Sequence, residues 1–240
     1  MRIQQQPAFV LHVRPWRETS LQLECLTRDH GRLGVLARGA RRARARLSRA
    51  LLEPFQPLMI DVSGGGELVT LTAAEATANA LPLRGQALWS GLYVNELLVR
   101  LVARQDPHPG LLERYARTLA SLAEGGDIGW TLRRLERDLL ASLGYALELR
   151  HEADSREALD PAATYVYVPG SGPMPWRGQS GLRLRGADLL ALAADHKPDA
   201  EGLVALRRLM RALIAEQLGD RGLRSWQLAA SLRATPGRSD

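Results

Sequence analysis

From Ala8 to Thr72 the apolar positions recur mostly at every second residue, and from Ala73 the repeat lengthens to about 3.6. The first spacing is that of one face of a strand, the second that of one face of a helix. Residues 8–13, AFVLHV, and 21–27, LQLECLT, read as two strands joined through Arg14-Pro15-Trp16-Arg17-Glu18-Thr19-Ser20. Pro15 has no N–H to donate, which excludes a central-strand position there. A third strand follows from Arg32 to Ala37, after the turn signal Asp29-His30-Gly31, and two more, Pro57 to Val62 and Glu67 to Thr72, flank Gly64-Gly65-Gly66. Five short strands so spaced predict a small closed or partly closed barrel of the oligonucleotide-binding kind, with a fragment of a sandwich as the competing arrangement.

The change of period places a boundary near residue 80, at Leu81-Pro82. Beyond it, Trp89, Leu92, Tyr93, Leu97, Val99, Leu101 and Val102 cover most of a helix from about Gln86 to Arg104. That apolar breadth predicts the central helix of a bundle. Further helices are expected from about Leu111 to Ala123 and from Ile128 to Leu143, the latter ended by Gly144 as a left-handed cap. Between residues 146 and 186 the helical pattern lapses. TYVYV at 164–168 reads as a strand, PGSGPMPWRGQSG as loop, and residues 182–185 as a strand pairing back in a hairpin. Helices resume at 187–194, 200–218 and 225–232, with Arg207, Arg208 and Arg211 outside the buried stripe of the long one. The fold class is therefore α+β: a five-stranded barrel over residues 1–80 and a helical domain over 81–240, interrupted at 146–186 by the irregular hairpin insertion.

Charge adds what periodicity leaves out. The formal net charge is +6, with arginine supplying nearly all the positive side because Lys197 is the only lysine. Residues 1–80 hold eleven basic and seven acidic side chains, so that third carries +4 of the +6. Within it, 37–49 reads ARGARRARARLSR, and no acid falls between Asp29 and Glu53. Six like charges repel one another unless something anionic lies against them, and the guanidinium fork suits phosphate oxygens. The run is internal and flanked by strands, so it is displayed on a folded scaffold; the plainer alternative is a solvated charged loop. The charge asymmetry points to nucleic acid or an anionic membrane surface more than to an acidic small molecule.

Other chemistries find little support. There is one cysteine, Cys25, which excludes an intrachain disulfide and a cysteine-rich zinc site and suits a reducing compartment. The five histidines, His12, His30, His108, His151 and His196, show no metal-ligand spacing. Neither GxxxxGK[ST], GxGxxG after a strand, nor GxSxG occurs. Cys25 beside His12 or His30 is the one conceivable nucleophile, and a small core residue is its simpler reading. No apolar run has the length of a membrane span, and the expected location is cytoplasmic, nucleoid-associated. The barrel region has only Phe9, Trp16 and Phe55 as aromatics, too few for a multi-base stacking platform. Binding is thus expected to be dominated by phosphate contacts and weakly selective between single strand and duplex. On the third bundle helix, Arg133, Arg134 and Arg137 beside Leu132 and Leu135 suggest a basic surface suited to an acidic tail ending in an apolar residue and a carboxylate; a solvated helix face is the alternative.

Several linked stretches then resemble one family. Ala8-Phe9-Val10-Leu11-His12, the Arg14 to Ser20 segment, Gly31-Arg32, Ala37-Arg38-Gly39-Ala40-Arg41, Pro54-Phe55-Gln56-Pro57-Leu58, the 92–98 stretch LYVNELL, and Leu132-Arg133-Arg134 followed by Leu143-Gly144-Tyr145 are similar, in this order, to the bacterial recombination mediator RecO. The resemblance implies an N-terminal oligonucleotide-binding (OB) barrel, a C-terminal helical domain and a non-enzymatic role. In that role the protein binds single- and double-stranded DNA, anneals complementary strands, engages RecR and helps load RecA onto strands coated with single-strand binding protein, whose acidic C-terminal tail is engaged on the helical domain. DNA binding transfers by motif to Arg14, Arg38, Arg41 and Arg42, and by local charge alone to Arg44, Arg46 and Arg49; tail binding transfers to Arg133, Arg134 and Arg137. Some members carry a four-cysteine zinc site after the Leu-Gly-Tyr motif. This chain has no cysteine between Glu148 and Trp176, so neither metal nor other cofactor is expected. The runner-up is an RNA- or ribosome-associated protein with the same barrel.

Overall fold

Strand β1, Arg2–Trp16, threads its apolar side chains into a barrel completed by β2 (Ser20–Thr27), β3 (Arg32–Ala37), β4 (Pro57–Ser63) and β5 (Leu68–Ala76). In this computed structural model, which describes residues 2–42, 47 and 49–228, the barrel is closed in the order β1-β2-β3-β5-β4. Neighbours run antiparallel except β3 and β5, which pair in parallel at Gly34↔Leu68 to Leu36↔Thr70. The alternation works as the sequence implied: Val10, Leu23, Cys25, Val35, Ile60, Val62 and Val69 fill the interior. Closure leaves no long free edge, and a one-residue slip would turn the whole apolar set outward.

Two strands extend further than their patterns announce. β1 begins at Arg2, not Ala8, because the polar 4–6 stretch QQQ hides it. Its pairing with β4 shifts register between Ile3 and Gln6, and Gln5 takes a left-handed φ of 52°, the signature of a bulge. Pro15 also lies inside β1, opposite Leu21. β4 pairs β1 only over Arg2–Phe9, so Pro15 stands where the strand has a single neighbour and a missing N–H is tolerated. β5 runs to Ala76, past the point where the period changes, since small alanines give no alternation to read.

Helix α1, Gly85–Leu101, lies on the barrel. Gly91 is the contact point, since a Cβ there would come within 2.6 Å of Leu83 and 3.0 Å of Phe55. Asn95 donates to the carbonyl of Leu11 at 3.0 Å and accepts from the Tyr115 hydroxyl at 2.6 Å, tying α1 to β1 and to α2, Leu111–Ala123. Trp89 and Leu92 nevertheless stay 51% and 40% exposed. The helix expected at the centre of a bundle thus keeps part of its broad apolar surface outward, while Gly91, Val94, Asn95, Leu97 and Leu98 form its buried face. After α1, Glu24 accepts hydrogen bonds from both Arg32 and Arg104, and Arg32 also donates to the carbonyl of Val102 at 2.9 Å.

The described residues divide into two compact units, one drawn from Met1–Gly125 and Arg221–Asp240, the other Gly126–Asp220. The second contains α3 (Ile128–Ser142), β6 (Thr164–Val168), β7 (Gly172–Pro175), β8 (Arg183–Arg185), α4 (Gly186–Ala193) and α5 (Ala200–Leu218). Asp127 and Asp199 cap α3 and α5 by accepting from the N–H groups of Trp130 and Gly202, each satisfying an otherwise orphaned donor. Gly144 takes φ 88° just after α3, the left-handed stop expected there. β8 pairs back on β6 as expected, but the proline-rich stretch read as loop contains β7, giving a three-stranded sheet β7-β6-β8. Pro173 and Pro175 conceal that strand, and an edge position accommodates them. The final helix is helical over 224–228; its expected continuation lies outside the described residues.

Candidate nucleic-acid interface

The arginine-rich connection leaves β3 beside the β1–β2 turn, and Arg41 joins the two. Its backbone N–H donates to the carbonyl of Thr19 at 2.9 Å, and its guanidinium donates to the carbonyls of Glu18 at 3.0 Å and Arg17 at 3.3 Å. Gly39, at φ 67°, turns the chain so that the Arg42 N–H reaches its carbonyl at 3.0 Å; left-handed backbone there is what glycine permits without a Cβ penalty. Ala40 is buried, and Leu47 and Leu51 pack against the barrel core. The connection is thus pinned by apolar side chains on both sides of its cationic middle.

Strand geometry brings more of the set onto the same surface. Arg14 pairs with Gln22, Trp16 with Ser20, and Leu21 with Ala37. Ala37 is buried; Arg38, the first residue past β3, is exposed and follows the last register pair, next to Ser20, whose Oγ accepts from the Gly39 N–H at 3.4 Å. Arg14 donates from Nε and Nη2 to Oε1 of Gln22 at 3.1 and 2.7 Å, and its guanidinium carbon lies 5.9 Å from the centre of the Trp16 ring. Arg14, Arg38, Arg41 and Arg42 are all exposed. Arg49 is exposed too and lies 3.6 Å from Glu53, a surface pair of little energetic weight. Arg44 and Arg46 lie outside the described residues.

The helical arginines are arranged differently from a free basic surface. Arg133 is buried, at 6% exposure, and pairs with the buried Glu136 one turn on, Nε to Oε2 at 2.6 Å. It is a core ion pair, because an acid three positions later on a helix faces the same side. Arg134 and Arg137 converge instead on Asp195: Arg134 donates to its two oxygens at 2.8 and 2.6 Å, and Arg137 lies 3.2 Å away. Burial pushes the Asp195 carboxyl up, but the hydrogen bond from Arg134 and the two positive charges hold it below the usual aspartate value. Arg137 also donates to the carbonyl of Leu192 at 2.6 Å.

Pattern reading passed over Arg28, Arg114 and Arg117, which line a recess of about 620 Å³ with Asp29, Glu113 and Pro109. Arg28 lies far in sequence from Arg114 and Arg117, and Asp29 and Glu113 adjoin them, so no charge run announces the group. Cys25 is buried at 1% exposure; burial foremost, and Glu24 beside it, push its thiol up to about 12, the reverse of what a nucleophile needs. Among the described residues no three His, Cys, Asp or Glu side chains are placed to hold a metal ion, and no helix is long and apolar enough to cross a membrane.

The sequence matches the family model for the recombination protein O N-terminal domain over residues 1–80 and that for the C-terminal domain over residues 83–227. A DNA repair protein RecO from Aromatoleum aromaticum is 47% identical over 234 residues, covering 97% of each chain. Those from Stenotrophomonas maltophilia and Xanthomonas euvesicatoria are each 44% identical, covering 97% of this chain and 98% of theirs. The chain belongs to the recombination protein O family. Its RecO character places it in DNA repair and recombination. The RecO N-terminal match spans β1 through β5, and so includes Arg14 on β1 and Arg38, Arg41 and Arg42 in the connection between β3 and β4.

Proposed function

We propose that this protein is a recombination mediator. Its barrel, residues 1–80, holds single- and double-stranded DNA on the surface of Arg14, Arg38, Arg41, Arg42 and Arg49 with Arg44 and Arg46, and anneals complementary strands. The helical part, residues 81–240, serves RecR and the acidic tail of single-strand binding protein, and the assembly helps RecA onto coated strands. The observation that carries the DNA role is the tethering of the arginine connection to the β1–β2 turn by Arg41. It sets several cations on one preorganised face instead of leaving them on a free loop, so less ordering entropy is lost on binding. Guanidinium groups meeting successive phosphates release counterions and act without turnover. For tail recognition the support is Arg134 and Arg137 already gripping a carboxylate, that of Asp195; Arg133, buried against Glu136, steadies the helix that presents them.

The test is annealing of complementary strands coated with single-strand binding protein, measured beside binding of a labelled oligonucleotide across a salt series. Neutralising about five phosphates gives a log-log slope of roughly −4. Replacing Arg38 and Arg42 together by Ala removes two contacts and flattens the single-strand slope by about 1.4. A salt-independent affinity, or annealing unchanged in the double variant, refutes the reading.

A further inference from the structure

Of the three aromatic residues in the barrel region, two are accounted for by packing. Phe9 is buried and meets Tyr115 edge-on, ring centres 5.1 Å apart. Phe55 is buried at 7% exposure under α1. Trp16 is different. It lies at the end of β1, beyond the reach of β4, paired with Ser20, next to which Arg38 follows β3. It is only partly covered, while Arg14 stands over its ring, held by Gln22. The next residue, Arg17, has a left-handed φ of 51°, a conformation that costs a non-glycine residue energy and is kept where the surroundings impose it. Here the surroundings are the hydrogen bonds from Arg41 to the Arg17 and Glu18 carbonyls.

We propose that Trp16 is a base-stacking position, taking one unpaired base of a single strand on its indole while Arg14 and Arg38 hold the flanking phosphates. This rests on the DNA-binding reading and sharpens it. An indole offers a flat apolar face that any base covers equally well, so the contact is blind to sequence. It is not blind to strandedness, because in a duplex the base faces are already stacked on one another. Phosphate contacts alone leave single strand and duplex nearly equivalent; one aromatic on the same face separates them. The outer face of the second and third strands is also where barrels of this topology receive oligonucleotides, so the placement of Trp16 next to that face gives the base a path to the ring.

The experiment compares two labelled strands of equal length at one salt concentration, an oligothymidylate and its fully abasic counterpart, by fluorescence anisotropy. The wild-type chain is expected to bind the base-bearing strand about tenfold more tightly. In Trp16→Leu the two affinities converge, with the abasic strand bound as in wild type, whereas Trp16→Phe keeps most of the difference. Equal affinity of the wild-type chain for the two strands overturns the proposal without recourse to any variant. So does a Trp16→Leu protein that still separates them. Tight binding of both strands equally defeats only the stacking site; binding of neither defeats the DNA reading and this proposal with it. Thermal unfolding of each variant shows whether the hairpin survives, and Trp16→Phe, which keeps a ring of similar placement, reads out stacking where Trp16→Leu fails to fold.

Discussion

Replacing Glu24 by Gln removes one charge and should destabilise the barrel unit substantially. The Glu24 side chain is 11% exposed, and it is the shared acceptor for Arg32, 12% exposed, and Arg104, 26% exposed. Those three groups join β2, β3 and the segment that follows α1, and the hydrogen bond to Glu24 is the main cause that pushes the Arg104 guanidinium above its ordinary value. Removing one member of a buried ion cluster costs about 3–5 kcal/mol, because the remaining charges stay desolvated without a counterion. Two features place this case at the lower end. Arg32 keeps its hydrogen bond to the Val102 carbonyl, and Arg104 keeps Glu67 at 3.7 Å and some solvent. A loss of about 3 kcal/mol is expected, which at a urea dependence of about 2 kcal/mol/M lowers the midpoint by roughly 1.5 M. Urea unfolding followed by tryptophan fluorescence and by circular dichroism measures it, and the slope should stay unchanged. Arg104→Gln placed on top of Glu24→Gln should cost less than Arg104→Gln alone, since the partner has already gone. A loss under about 1 kcal/mol for Glu24→Gln, or strict additivity of the two changes, would show that the cluster is as well solvated as an ordinary surface pair.

Three further outcomes follow from other parts of the structure. Gly31→Ala should cost about 2–4 kcal/mol, since Gly31 has φ 62° and a Cβ there would fall 2.1 Å from the Asp106 carbonyl oxygen; a thermal midpoint unchanged from wild type contradicts this. Asp195→Asn withdraws the internal carboxylate from Arg134 and Arg137, and should raise affinity for an acidic tail peptide several-fold in a titration, whereas weaker binding would make Asp195 a needed scaffold for the site. Glu96 accepts from the N–H groups of Arg224 and Ser225 at 2.7 and 2.9 Å. Burial pushes its carboxyl up, but the hydrogen bonds from Ser225 and Arg224 hold it below the ordinary 4.5. Its contribution is therefore full above pH 4.5 and is lost as pH falls through the lowered value, so the amides of Arg224 and Ser225 should lose exchange protection at acid pH in wild type and at neutral pH in Glu96→Gln.

The barrel and the cationic connection were legible in the sequence because both rest on local regularities. Alternation along 21–27, 32–37 and 57–62 is forced by the two faces of a closed sheet, and a run of arginines without acids is visible at any level of description. The ends of strands were not legible where polar or small residues took strand positions, as Gln4 to Gln6 and Ala73 to Ala76 do, nor was β7 among its prolines. Side-chain partnership was hidden most deeply. Arg133 and Arg134 are adjacent in the chain and alike in type, yet one is a buried partner of Glu136 and the other a half-exposed clamp on Asp195, because successive helix positions point about 100° apart. Trp16 and Trp89 are likewise equivalent as residues. Only the registers Trp16↔Ser20 and Leu21↔Ala37 set the first beside Arg38, while Trp89 remains on the outer side of α1. By itself, the sequence determined the kind of surface this protein presents, a cationic face on a small barrel, since charge and alternation are properties of residues. The tertiary structure decided which cations are free to meet a ligand and which are spent on carbonyls and carboxylates, since that depends on neighbours brought together from distant parts of the chain.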